Sequence, residues 1–140
     1  MIDSSTFFSS AEGNPDTYEH FYSDLEMFTA MPNPNPETLM QTFTSWEAAT
    51  KANKWQGRNR CRWSNKEYDR MYREAESELD PVRRAALFIG MNDLIIKERA
   101  VIPILRRSEV AGFNTKVRAV LSPWEGPFWL LHDWYREPAS

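Results

Sequence analysis

The dipeptide Asp80-Pro81 constrains this chain more than any other feature, because it separates two helical patterns. Proline lacks an N–H and has a fixed φ, so it fits the first turn of a helix and not its interior. An aspartate just before it can accept from the unpaired amides of that turn. One helix therefore ends before Asp80, and a second opens at Pro81. Upstream, Tyr68, Met71, Tyr72, Ala75 and Leu79 recur at i, i+3, i+4, i+7 and i+11, which is one helical face. Asp69, Arg70, Arg73, Glu74, Glu76 and Glu78 fall on the other face, and Ser64 with Glu67 fits a capping box. Downstream the helix runs to about Lys97, and its middle, Ala85 to Ile89, is apolar nearly all round, which predicts burial. The short turn between the two makes them antiparallel neighbours.

A second break is Met31-Pro32-Asn33-Pro34-Asn35-Pro36, whose alternating prolines continue neither a helix nor a central strand. It reads as an extended loop. Phe21 to Thr29 before it reads as a strand with Leu25, Met27 and Phe28 as its apolar residues. After it, Asn35 as N-cap, Pro36 at the first position and Glu37 in the first turn predict a helix whose apolar face is Leu39, Met40 and Phe43, extended by Trp46. Thr50 to Arg62 is polar and basic, with Gly57 as a turn. Ala100 to Leu105 is short and β-branched and reads as a strand, at an edge or bulge because of Pro103. Val110 to Val120 carries no clear pattern, and Pro127 to Tyr135 is aromatic enough for a strand.

Composition narrows the function. With 140 residues the chain has the length of one domain. Its 17 basic and 20 acidic residues leave a net charge of −3, so no strong field draws it to nucleic acid or anionic lipid. One cysteine, Cys61, supports neither an internal disulfide nor a cysteine-based zinc site. No apolar run approaches the ~18 residues of a membrane span. The start, Met1 to Ser5, lacks the basic and apolar regions of a secretory signal.

Catalytic chemistry finds little support. His20 has Asp16, Glu19 and Asp24 nearby but no second histidine or cysteine at ligand spacing, so it reads as a surface histidine. His132-Asp133 sits in the aromatic tail. There is no nucleophile elbow, phosphate loop or dinucleotide fingerprint. The glutamates at 74, 76 and 78 read as a solvated face. The expectation is a protein that is not an enzyme and needs no cofactor or metal. The stretch Trp55 to Trp63 interleaves Arg58, Arg60 and Arg62 with aromatics, as nucleic-acid binders do. A loop whose arginines pair with Glu74, Glu76 or Glu78 explains it better, and no nucleic-acid partner is expected.

The order of features nevertheless has a likeness. Asn59-Arg60-Cys61-Arg62-Trp63-Ser64-Asn65-Lys66-Glu67-Tyr68-Asp69, then Asp80-Pro81-Val82-Arg83-Arg84, then Val101-Ile102-Pro103-Ile104, resembles the C-terminal portion of the ABC-transporter substrate-binding proteins that carry dipeptides, oligopeptides and related solutes. The resemblance runs from about Phe21 to Glu137. It implies an α/β fold: a fragment of a periplasmic-binding-protein-like (type II) lobe, with two antiparallel helices packed on a small mixed sheet. Residues 1–110 would be the C-terminal part of the second lobe, and 111–140 a crossover segment and tail belonging to the first lobe.

The resemblance also implies a role. Such proteins close two lobes on a solute, so this chain would be a truncated domain of a periplasmic protein, without a signal peptide of its own and not ligand-competent alone. Its partners would be a peptide or anionic peptide-like solute, the missing first lobe and an ABC permease in the membrane. As an isolated fragment it would form homo-oligomers. Carried over by position, the strand ending at Phe28 would offer backbone groups to the ligand, with Met27, Phe28, Thr29, Ala30 and Met31 as ligand-binding residues. Asn59 and Arg60 would also contact the ligand. Met31 stands where an aspartate would hold a peptide ammonium, and Arg107 stands where tyrosine is common, which favours an anionic or neutral solute end. The competing reading is a self-associating interaction module with no small-molecule ligand.

Overall fold

The computed structural model describes residues 2–9, 13–28, 35–105, 110, 112–120 and 130–137. They form a small fold of helices with a two-stranded antiparallel sheet. The chain divides into two units, Met1–Ala30 with Asn35–Ile102, and Met31–Pro34 with Pro103–Ser140.

The first unit is built on local helix signals. Helix α1 is Ser4–Phe7, where Asp3 accepts from the Ser5 amide. Helix α2 is Pro36–Gln41, with Asn35 accepting from Glu37 N and proline in the first turn. Helix α3 is Lys66–Ser77 and helix α4 is Pro81–Lys97, capped by Asp80, which accepts from Val82 N and Arg83 N. The cap of α3 is Asn65 and not Ser64; its side chain takes the amides of both Glu67 and Tyr68. Asparagine and serine cap about equally well, and Asn65 is the residue in which the backbone is extended.

Partners along α3 and α4 run in opposite order. Arg84 Nε donates to Ala75 O at 3.2 Å near the connecting turn. At the far end, Trp63 Nε1 and Asn65 Nδ2 each donate to one oxygen of Glu98, at 2.8 and 2.7 Å. The helices are antiparallel, as their short connection requires. Met40, Tyr68, Tyr72, Ala75, Phe88, Met91 and Ile95 form the core between α2, α3 and α4. Tyr68 is fully buried, and its hydroxyl donates to Met40 O at 2.6 Å. Arg84 also pairs with Glu37, tying α4 to α2.

Three expectations are corrected. Leu79 is not on the α3 face: the helix ends at Ser77, Glu78 turns extended, and Leu79 is 94 % exposed. Helix α4 is not buried all round; Phe88, Met91 and Ile95 face the core, while Val82, Ile89 and Ile96 are exposed. The run Ala100 to Leu105 forms no strand, and Val101 to Leu105 is exposed coil.

Between α2 and α3 lie two short 3₁₀ turns, Ser45–Glu47 and Lys51–Asn53. Asp69 holds the first from α3, accepting from Ser45 N at 2.9 Å and Ser45 Oγ at 2.5 Å. Gly57 marks a close approach and not a turn. A Cβ there would lie 2.1 Å from Glu47 O and 2.7 Å from the Ala48 and Ala49 backbone. That approach lets Asn59 N donate to Glu47 O and Ala49 N donate to Asn59 O, both at 2.9 Å.

In the second unit, β1 (Val117–Arg118) pairs with β2 (Tyr135–Arg136), Val117 opposite Arg136 and Arg118 opposite Tyr135. Arg118 Nε donates to Glu137 Oε1 at 2.6 Å across this ribbon. Leu131–Asp133 is a 3₁₀ turn, so the described part of the expected tail strand is strand only at Tyr135. Among the described residues of the first unit there is no strand, only a single parallel bridge between Ala48 and Asn59. The small mixed sheet expected beneath the helix pair is therefore not found there.

Candidate functional site

The site expected from sequence centres on residues 27–31, 59–60 and 107. Thr29, Ala30, Met31 and Arg107 lie outside the described residues, as does the loop through Pro34. Met27, Phe28, Asn59 and Arg60 are described, and two of them converge on a residue that sequence reasoning did not single out.

That residue is Tyr18. Its ring lies 5.7 Å from the Phe28 ring, edge-on, and the Arg60 guanidinium carbon sits 4.0 Å from its centre. Arg60 Nη2 also donates to the Tyr18 hydroxyl at 2.8 Å. Phe7 packs against both Tyr18 and Phe28, at 5.7 and 6.1 Å between ring centres. Phe28 is thus one wall of an aromatic cluster capped by a guanidinium, an arrangement favoured by the ring quadrupole. Phe28 is 43 % exposed and Met27 is 81 % exposed, so this edge of the cluster faces outward.

Arg62 fixes the segment that carries these rings. Its Nη1 donates to His20 O at 2.8 Å and Ala49 O at 3.3 Å, and its Nη2 donates to Phe21 O at 2.6 Å. Those bonds explain why residues 21–28 are coil and not the expected strand. Phe21 has φ 43°, which no strand tolerates, and its carbonyl is committed to a side chain. The expected pairing of Arg58, Arg60 and Arg62 with Glu74, Glu76 and Glu78 does not occur either. Arg60 and Arg62 are bound to the N-terminal segment, and Glu74 pairs with Arg70 at 2.6 Å.

Asn59 is 1 % exposed. Its Nδ2 donates to Thr44 O at 3.0 Å and to Trp63 O at 2.7 Å, and Cys61 Sγ approaches its Oδ1 at 3.4 Å. Its side chain is committed within the chain and holds the backbone from which Arg60 projects.

Glu26 completes the electrostatics. Burial pushes its carboxyl above the usual carboxylate range, against the opposing pull of Arg62 and Arg60. Its Oε2 and Arg60 Nε are both buried with no hydrogen-bond partner among the described residues. The site therefore carries two guanidinium groups and one carboxyl held toward its neutral form.

His20 is also corrected: it is 4 % exposed and not a surface residue. Its Nδ1 shares a 2.6 Å hydrogen bond with the Thr17 hydroxyl, and its ring meets Trp55 edge-on at 4.6 Å. His132 and Asp133 are both exposed and lie 3.4 Å apart. Among the described residues no group of three or more His, Cys, Asp and Glu could hold a metal ion, and no helix is long and apolar enough to cross a membrane.

Tyr18, Glu26 and Arg62 were missed because their importance is non-local. The one available signal was the alternation Arg58-x-Arg60-x-Arg62 with no acidic residue between, which leaves cations to be satisfied from elsewhere.

No family model matches this chain, and no solved structure matches it. Among curated proteins, the dipeptide-binding protein DppE of Bacillus subtilis strain 168 is 33% identical to it over 63 residues. The match covers 45% of this chain and 12% of that protein, so the two share only a small part of the relative's length. This partial similarity is to a binding protein and not to an enzyme.

Proposed function

We propose that this chain is part of a peptide-type solute-binding protein of an ABC import system, acting outside the cytoplasmic membrane, in the periplasm or its equivalent. The observation that carries the reading is the convergence of Phe28 and Arg60 on Tyr18, in a chain partially similar to a dipeptide-binding protein. An outward-facing aromatic edge beside a backbone segment offers apolar contact and main-chain hydrogen bonds, which is how extended peptides are held. Asn59 enters as a positioning residue, and Arg60 gives the site cationic character suited to an anionic or neutral solute end.

In this reading the chain belongs to the second lobe of a type II binding fold, with residues 111–140 crossing to the first lobe. One face of a cleft cannot exclude water from a solute, so binding by the chain alone is weak. The exposure of Ile104 and Leu105 supports a surface built to be covered, by the first lobe in the whole protein and by other copies in isolation. The membrane permease is the remaining partner. Self-association as the sole function is the second reading, and the same exposed run favours it.

Calorimetric titration of the chain with acidic, neutral and basic dipeptides tests the proposal. The expected result is a dissociation constant of about 1 mM or weaker, tightest for the acidic members. Micromolar affinity contradicts the half-cleft, and a preference for basic dipeptides contradicts the cationic site.

A further inference from the structure

A second concavity of the first unit lies apart from the Phe28–Tyr18–Arg60 cluster. It is an open depression of about 350 Å³ lined by Gly13, Pro15, His20, Tyr22, Lys51 and Trp55. Its volume is at the low end for small-molecule sites. Tyr22 and Trp55 stand nearly perpendicular, at 89° with ring centres 5.7 Å apart, so one offers an edge and the other a face. His20 meets both rings, at 5.5 Å from Tyr22 and 4.6 Å from Trp55, and forms part of the lining.

Tyr22 is 64 % exposed although its ring contacts both His20 and Trp55. Trp55 is held there at a conformational cost. Lys54 and Trp55 are consecutive left-handed residues, with φ of 55° and 62°. Non-glycine residues adopt that conformation only when their surroundings impose it. Here Trp55 N donates to Thr50 O at 2.9 Å, and the Thr50–Asn53 capping box closes the turn beneath it.

Among the described residues, the charge lining the depression is of one sign. Lys51 is exposed and makes no ion pair among the described residues. The Arg62 guanidinium carbon lies 5.8 Å from the Trp55 ring centre, and among the described residues no acidic side chain lines the space.

We infer that this depression is a binding site for a small aromatic group bearing a carboxylate, its ring seated against Trp55 and Tyr22 and its anion at Lys51. Aromatic contacts supply the affinity, and the lysine sets the sign of charge accepted. The inference goes beyond the peptide reading and does not depend on it, because its contacting side chains, Trp55, Tyr22 and Lys51, lie outside the Phe28–Tyr18–Arg60 cluster.

The test follows the Trp55 indole N–H resonance of the ¹⁵N-labelled chain, identified by its loss in Trp55→Phe. The probes are N-acetyltryptophan, N-acetyltryptophanamide and tryptamine, which are anionic, neutral and cationic. The expected order of affinity is anion, neutral, cation, with about a threefold to tenfold span, the scale of one exposed charge pair. Lys51→Glu is expected to reverse that order with the chain still folded, as the unchanged resonances of α3 and α4 would report. Trp55→Leu is expected to weaken all three probes by about threefold or more, read at Tyr22 and Lys51. No shift of the Trp55 indole up to about 10 mM overturns the site. An order unaffected by the charge at position 51 overturns the role of Lys51. Dipeptide effects are read at Phe28 and Arg60, so either reading can fail without the other.

Discussion

Arg60 and Tyr18 are joined twice: the guanidinium carbon stacks 4.0 Å from the ring centre, and Nη2 donates to the hydroxyl at 2.8 Å. The two residues are 42 positions apart, so their contact helps hold the N-terminal segment on the 44–63 region. Tyr18→Phe removes the acceptor and keeps the ring, and should cost about 0.5–1.5 kcal/mol. Arg60→Met removes both contacts and should cost more. A double-mutant cycle by urea denaturation should give a coupling of about 0.5–2 kcal/mol. Additive losses would mean that the pair is only adjacent.

The glycines at 57 and 90 should respond differently to alanine. At Gly57 the added carbon meets backbone, 2.1 Å from Glu47 O, and the strand-like bridge between Ala48 and Asn59 has to open. A loss of about 1–3 kcal/mol in chemical denaturation is expected. At Gly90 the added carbon meets the end of the Met71 side chain, 2.4 Å from Cε, which can rotate away. The mid-helix gain of about 0.5–1 kcal/mol over glycine offsets that crowding, so Gly90→Ala should be near neutral. Equal losses at the two positions would contradict this contrast.

Glu26 should make stability depend on pH in the acidic range. Burial raises its folded pKa above the ordinary value of 4.5. A carboxyl with a raised folded pKa contributes stability that is fully present below the unfolded value and is lost as pH rises through the folded one. Glu26→Gln should therefore raise the urea midpoint at pH 7 and leave it nearly unchanged at pH 4, measured in parallel with the parent chain. A lower midpoint at pH 7 would mean that attraction to Arg60 and Arg62 outweighs burial.

Tyr68 should do the same at the alkaline end. Burial, with Tyr72 and Asp69 nearby, pushes its phenol well above the ordinary value of 10.0. Folding therefore favours the neutral phenol, and stability should fall as pH rises beyond about 10. Tyr68→Phe should flatten that fall. At neutral pH it should cost about 1–2 kcal/mol, because the Met40 carbonyl loses its 2.6 Å donor inside the core. Tyr72, also raised, keeps part of the alkaline slope.

Helix punctuation was legible in the sequence because it is local chemistry. Asn35-Pro36 and Asp80-Pro81 start helices where their side chains and missing amides require, and Met40, Tyr68, Tyr72 and Ala75 take up the core face that their spacing requires. What was illegible is decided at long range. The expected strand from Phe21 fails because Arg62, 41 residues later, claims the Phe21 carbonyl. His20 is buried because Trp55 covers it, not because its neighbours in sequence are apolar. Motif residues such as Asp69 and Arg84 proved to be clamps, on Ser45 and on Glu37, roles that a linear pattern cannot distinguish from ligand contacts. Phe28 and Arg60, both singled out from the sequence, meet at Tyr18, which no local pattern marks.

The central claim is that Phe28, Tyr18 and Arg60 form part of a peptide-binding face. Backbone amide shifts of the labelled chain, followed during titration with an acidic dipeptide, test it most directly. The account expects saturable shifts confined to residues 18, 26–31 and 59–62, with a midpoint near ~1 mM, and their loss in Arg60→Met. Shifts elsewhere only, or none in this region up to about 10 mM, would contradict it.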